Sequence, residues 1–199
     1  YWKGITTAAT GSVEMTNCIV EGAECIFSEG SGTYTATQCN FTRNQTIYTG
    51  KGYLTITKST IENNGIETVA RSLIHLDYAG TITFNNNTVG TNNRKTLITA
   101  IPGTGHGVTV SLSNNTITTD GNIFGGTSEE ATDSTKDIKS LENIDANTTS
   151  QLVTASNNTI RGIYKPNAAF TFGTNATFNV EENTIEGVQE PVQVKRSSS

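Results

Sequence analysis

The stretch Val110-Ser111-Leu112-Ser113-Asn114-Asn115-Thr116-Ile117 decides the fold. Val110 and Leu112 alternate with Ser111 and Ser113, the two-residue period of a strand with one face buried. The Asn pair breaks the alternation, because Asn tolerates turn conformations that other side chains resist. Thr116-Ile117 then resumes it. Aligned on the apolar residue after the corner, seven segments fall into register, ending at Ile19 (TNCI), Phe41 (QCNF), Ile61 (KSTI), Val89 (NNTV), Ile117 (NNTI), Ile160 (NNTI) and Ile185 (ENTI). Their spacings are 22, 20, 28, 28, 43 and 25 residues, close to one solenoid coil apart from the 43, which reads as a coil carrying a loop insertion at 125–150. A unit of this size cannot bury its apolar face alone, whereas stacked copies build a continuous core.

Columns of the alignment say which way each residue points. Two positions before the apolar anchor stand Asn17, Cys39, Ser59, Asn87, Asn115, Asn158 and Asn183, five Asn in seven. An amide repeated at a corner can bond the next coil's amide and nearby backbone, satisfying groups buried there. Before the corner, Leu54/Ile56, Ile82/Phe84, Val110/Leu112, Val153/Ala155 and Phe178/Val180 form the inward set, with Tyr34/Ala36 a poorer match. Thr35/Thr37, Thr55/Thr57, Thr83/Asn85, Ser111/Ser113, Thr154/Ser156 and Asn179/Glu181 point outward. Val13 and Met15 stand one place off this pattern, which predicts a bulge or a distorted end in the first coil. After each anchor come a polar stretch, a further apolar run and a Gly-containing turn. The expectation is an all-β chain, a right-handed parallel β-helix (solenoid) of about seven coils with an internal Asn ladder. A β-sandwich or barrel is the rival, but it does not require Asn at one fixed column.

Only 34% of the 199 residues are hydrophobic and 16% charged, yet three prolines and abundant Thr and Asn separate the chain from disordered sequences. A net charge of −5 provides no basic field for nucleic acid, so no nucleic-acid partner is expected. No apolar run approaches membrane-spanning length. Cys18, Cys25 and Cys39 match no zinc spacing. They read either as free thiols in the wall or as one disulfide plus a leftover thiol. The insertion is acidic and offers a short helix over 134–141, but its carboxylates lack the spacing of a calcium loop. No cofactor or metal is expected.

The segments FNNNTV, LSNNTI, ASNNTI and VEENTI resemble the coils of the pectin-lyase-like right-handed parallel β-helix superfamily, over nearly the whole chain. That family includes polysaccharide lyases and hydrolases as well as non-catalytic adhesin regions of bacterial cell-surface proteins. Phe41-Thr42-Arg43-Asn44 and Phe84-Asn85-Asn86-Asn87 are also similar to the FxxN repeat of chlamydial outer-membrane proteins, though the companion GGAI motif is missing. The resemblance implies a secreted or cell-surface module with a binding, adhesive or spacer role. Its partners would be glycans or surface proteins, with further coils or another chain at its open ends, and the 1–199 segment would be a single domain cut from a longer one.

The enzymes of the fold need charged groups stacked outward on adjacent coils, and glycoside hydrolysis needs two carboxylates at a set separation. Here the outward columns are mostly Thr, Ser and Asn. The best catalytic candidates are His75 and Asp77, which alternation turns outward together, with Tyr48 on the coil before and Lys95 or Thr99 on the coil after as neighbours. His106, in a Gly-rich turn, carries no stronger signal. A glycan-binding module instead predicts exposed aromatics, for which Tyr34, Tyr48, Tyr53, Tyr78 and Tyr164 are the candidates. An ice-binding face built on the outward Thr residues is a further alternative, against which the unequal coil lengths count. Seven glycosylation sequons start at Asn40, Asn44, Asn86, Asn114, Asn147, Asn157 and Asn175, three of them by-products of the NNT corner.

Overall fold

The computed structural model describes residues 1–28, 30–66, 72–103, 105–125, 150–163, 168–173 and 176–195. The expected helix over 134–141, Tyr164 and the sequons at Asn147 and Asn175 lie outside the described residues.

Each rung of the chain is three strands long. The first holds β1 (Ser12–Thr16), β2 (Ile19–Glu21) and β3 (Cys25–Ser28). The second holds β4 (Thr33–Thr37), β5 (Asn40–Thr42) and the start of β6 (Thr46–Thr57), which bends into the third. There β7 (Thr60–Glu62) leads to β8 (Ser72–Asn85), which bends into the fourth rung with β9 (Thr88–Val89) and β10 (Thr96–Pro102). The fifth holds β11 (Val108–Ser113) and β12 (Thr116–Thr119), its third strand reduced to a bridge at Phe124. β13 (Gln151–Ser156), β14 (Thr159–Gly162) and β15 (Ala168–Gly173) make the sixth. β16 (Ala176–Glu181), β17 (Thr184–Glu186) and β18 (Glu190–Lys195) make the seventh. Seven rungs amount to about six full turns of a parallel β-solenoid, and no helix occurs among the described residues.

Each strand pairs in parallel with its counterpart on a neighbouring rung. Identical positions therefore stack, and the apolar ones form continuous inward columns. On the first face Val13, Tyr34, Leu54, Ile82, Val110, Val153 and Phe178 are in register. On the second, the column is Val20, Phe41, Ile61, Val89, Ile117, Ile160 and Ile185.

The second column corrects the reading of the first rung. Its anchor is Val20, 5% exposed, while Ile19 points out at 74%. With that shift Val13 and Met15 pair with Tyr34 and Ala36 without interruption, so the expected bulge is absent. Asn17 accordingly leaves the ladder. It belongs to a column of left-handed residues three positions before the anchor, Asn17, Gln38, Lys58, Asn86, Asn114, Asn157 and Glu182, with φ between 53° and 58°. Left-handed backbone crowds Cβ against the following carbonyl, and Asn bears this better than most residues. In each NNT corner the first Asn thus makes the bend and the second fills it.

The filling residues are Cys18, Cys39, Ser59, Asn87, Asn115, Asn158 and Asn183. Backbone N–H groups donate to the next rung's amide oxygen, Asn87 N to Asn115 Oδ1 at 2.8 Å, Asn115 N to Asn158 Oδ1 at 3.0 Å and Asn158 N to Asn183 Oδ1 at 2.9 Å. Each amide nitrogen donates back to the preceding rung, Asn87 to Ile56 O, Asn115 to Phe84 O and Asn158 to Leu112 O. Ser59 continues the column with its hydroxyl, which accepts from Cys39 N at 3.0 Å.

A second ladder, absent from the sequence reading, lines the next corner. Ala23 N donates to Asn44 Oδ1, Asn44 N to Asn64 Oδ1, Asn64 N to Asn92 Oδ1 and Asn92 N to Asp120 Oδ1, at 3.0 to 3.1 Å. Asn44 and Asn64 are fully buried, so the Asn44 sequon is closed to a glycan in the folded chain, whereas Asn86, Asn114 and Asn157 stand exposed. The third corner uses glycine. Gly52 (φ 108°) and Gly80 (φ 139°) stack in register where β6 and β8 bend.

Candidate functional site

The glycine corner gathers Lys51, Asp77, Tyr78 and His106. Along β8 the alternation runs Ile74 in, His75 out, Leu76 in, Asp77 out, so both catalytic candidates do share one outward side. They stand two residues apart on an extended strand, roughly 7 Å along the chain, and among the described residues no hydrogen bond joins them. The neighbours of His75 in register are Thr49 and Thr99. Thr99 was an expected neighbour, whereas Tyr48 faces inward and its place is taken by Thr49. Burial holds the His75 imidazole below its ordinary range, and Asp77 opposes that shift.

A neutral, half-buried His75 has a consequence for stability. Its folded pKa lies below the unfolded value of 6.5, so the contribution is present above that pH and is lost as the pH falls through it. The chain is expected to lose stability on acidification below about pH 6.5, and His75→Gln should flatten that part of the profile. Melting temperatures of both proteins across pH 7 to 5 provide the check, and parallel profiles would contradict this assignment.

One residue beyond Asp77, the backbone of Tyr78 turns into the left-handed region at φ 77°. A bulky residue held there is strained by about 1–3 kcal/mol, and such strain persists where the surroundings over-determine it. Those surroundings are on three sides. Gly103 lies so close beneath that a Cβ there would meet the Tyr78 ring at 2.2 Å. From the rung before, Lys51 Nζ approaches to 4.6 Å from the ring centroid. From the turn after β10, the His106 ring stacks at 4.0 Å with a 36° tilt, and the backbone N–H of His106 donates to Gly103 O at 3.0 Å. Tyr78 keeps 41% of its surface open. Beside it a cleft of about 390 Å³ is lined by Gly30, Ser31, Thr49, Gly50, Lys51 and Asp77. The cleft therefore presents a cation, a carboxylate and two hydroxyls, and Lys51 links it to the Tyr78 ring.

The aromatic candidates divide. Tyr53 and Tyr78 are exposed, as expected of surface contacts. Tyr34 and Tyr48 are corrections, because both are fully buried and cannot meet a ligand. Tyr34 fills the first-face column, packs on Phe27 at 5.0 Å and bonds Thr7 Oγ1 at 2.9 Å. Tyr48 occupies the third-face column between Phe27 and Ile74, and burial pushes its phenol far above the usual range. Lys51 was missed, and His106 was read as an ordinary turn residue. Alignment of Gly52 on Gly80 sets Lys51 against Ala79, and the register shift between Gly50 and Gly52 accompanies its approach to Tyr78. The Thr columns stand in register, and Thr37 and Thr57 bond each other across rungs at 3.3 Å, so their hydroxyls also serve the sheet. No three His, Cys, Asp or Glu side chains converge as a metal site among the described residues.

No family model matches this chain, and comparisons with curated proteins and with solved structures find no match either.

Proposed function

We propose that this chain is a secreted or cell-surface β-solenoid module that binds a glycan at the Lys51–Asp77 cleft and the neighbouring Tyr78 ring. On this reading it resembles the non-catalytic adhesin regions of the pectin-lyase-like superfamily rather than their enzymes. The observation that carries the proposal is Tyr78, a half-open ring in strained backbone, held against His106 and against Lys51, which itself lines the neighbouring polar cleft. A pyranose offers C–H groups on one face and hydroxyls around its rim. An amphipathic ring matches the first, and a few convergent polar groups match the second. Lys51, Asp77, Thr49 and Ser31 supply those polar groups here. Preorganisation also favours binding, since a ring already locked by its neighbours loses little freedom when a ligand arrives.

A glycan-array screen of the purified chain tests the proposal, with each hit then measured against Tyr78→Asn. Asn accepts left-handed backbone, so this variant keeps the fold and removes only the ring. Loss of a central aromatic contact costs about 2 kcal/mol, near thirtyfold in affinity, whereas Tyr53→Ala on the first face should leave binding unchanged. Equal binding by Tyr78→Asn would overturn the site. Cleavage of a bound polysaccharide would instead establish an enzyme and return attention to His75 and Asp77.

A further inference from the structure

We propose that Cys18 and Cys39 form a thiol–disulfide exchange site, at which a low-molecular-weight disulfide closes a covalent bond between the first two rungs. The two cysteines hold the same ladder position on adjacent rungs. Their backbones are pinned by Asn40 N donating to Cys18 O at 2.8 Å. Each sulfur reaches the carbonyl two residues earlier, Cys18 to Thr16 O and Cys39 to Thr37 O, both at 3.4 Å, so the two side chains take the same direction. Cys39 Sγ also reaches back to Met15 O at 3.6 Å, the contact that Asn87 makes to Ile56 O two rungs later. Adjacent strands lie about 4.8 Å apart, inside the roughly 4.4–6.8 Å between Cα atoms that a disulfide spans. Cys25 stands apart on the third face, bonded to Phe27 O at 3.2 Å.

Access orders the steps. Cys18 is half-buried and Cys39 is 2% exposed, with burial pushing the Cys39 thiol up. The Cys18 thiolate therefore attacks the small disulfide, breaking its S–S bond, forming a mixed disulfide and releasing one small thiolate. The Cys39 thiolate then attacks the Cys18 sulfur, forming the Cys18–Cys39 bond and expelling the second small thiolate. The two protein thiols are oxidised, one external disulfide is reduced to two thiols, and the protein's two protons pass to the departing thiolates. The bond would clip the two rungs whose ladder position carries cysteine in place of asparagine.

Incubation of the folded chain with graded mixtures of reduced and oxidised glutathione, followed by acid quenching and peptide mass mapping, tests this. The expected product has lost the mass of two hydrogens and yields one peptide pair linked through Cys18 and Cys39, unchanged in Cys25→Ser. Cys39→Ser should stop at a glutathione adduct on Cys18, and it should fold because Ser59 already fills the same column. Three results would overturn the proposal: both thiols reduced throughout, Cys25 in the bridge, or the unsubstituted protein halting at the mixed disulfide.

Discussion

Asn115→Ala is expected to lower the unfolding free energy by about 3–4 kcal/mol, through polar groups left buried without partners. The Asn115 side chain serves three neighbours. Its oxygen accepts from Asn87 N at 2.8 Å, and its nitrogen donates to Phe84 O at 2.8 Å and to Asn158 Oδ1 at 2.9 Å. The residue is 1% exposed, so water does not replace what is lost. A truncation that merely removed packing would cost much less for so small a side chain. Two further substitutions separate the causes. Asn114→Ala, one position earlier and exposed, loses only tolerance of left-handed backbone and should cost about 1 kcal/mol. Asn115→Ser should fall between the two, because Ser59 shows that a hydroxyl in this column still accepts the preceding rung's N–H. Chemical denaturation of the four proteins gives the order, and a cost for Asn115→Ala no larger than that for Asn114→Ala would contradict the ladder.

Gly80→Ala should be at least as damaging, at about 4 kcal/mol, for a reason unrelated to hydrogen bonding. Gly80 has φ 139°, a region that L side chains rarely adopt, and a Cβ there would lie 1.9 Å from Gly52 O. That oxygen is backbone within a registered stack, so relieving the overlap means separating two rungs at their bend. Gly105 supplies the comparison. It is also left-handed, at φ 75°, but has nothing within 4 Å of an added Cβ. Gly105→Ala should therefore cost about 1 kcal/mol of backbone strain alone. Similar melting temperatures for the two variants would mean that the glycine stack is not tight.

The solenoid was legible because its rule is simple. An apolar residue recurs after a polar corner, and parallel stacking puts equal positions on top of one another. The fifth and sixth rungs show this most plainly, with Val110/Leu112 and Val153/Ala155 meeting the same NNTI corner. The first rung defeated the rule because Asn17 invites alignment by residue type, while backbone conformation makes Cys18 the filling residue. The second ladder was harder to see. Its column mixes Ala23, Asn44, Asn64, Asn92 and Asp120, and it follows strands only two to four residues long, too short to show alternation. Phe41-Thr42-Arg43-Asn44, which resembles a surface-protein repeat, is physically the approach to that corner. At the site, alternation was enough to turn His75 and Asp77 outward together. It was not enough to join Lys51 to Tyr78, because their approach depends on the register shift between Gly50 and Gly52. Tyr34 was legible as an inward residue from its column. Tyr48 was not, because the third face begins just after a corner and buries Ile47 and Tyr48 in succession.

Residue-resolved amide hydrogen exchange reads whether two side-chain ladders bind the rungs into one registered stack. The amides of Asn44, Asn64, Asn87, Asn115 and Asn158 sit at corners, where solvent normally exchanges them quickly, yet each donates to a side-chain oxygen of the next rung, buried for the first four and half-buried at Asn183. These five amides are expected to be protected as strongly as Ile61 and Ile117 in the neighbouring strands, because losing them requires separating rungs. Fast exchange at the corners with slow exchange in the strands would contradict it, and would leave the sheets alone holding the solenoid together.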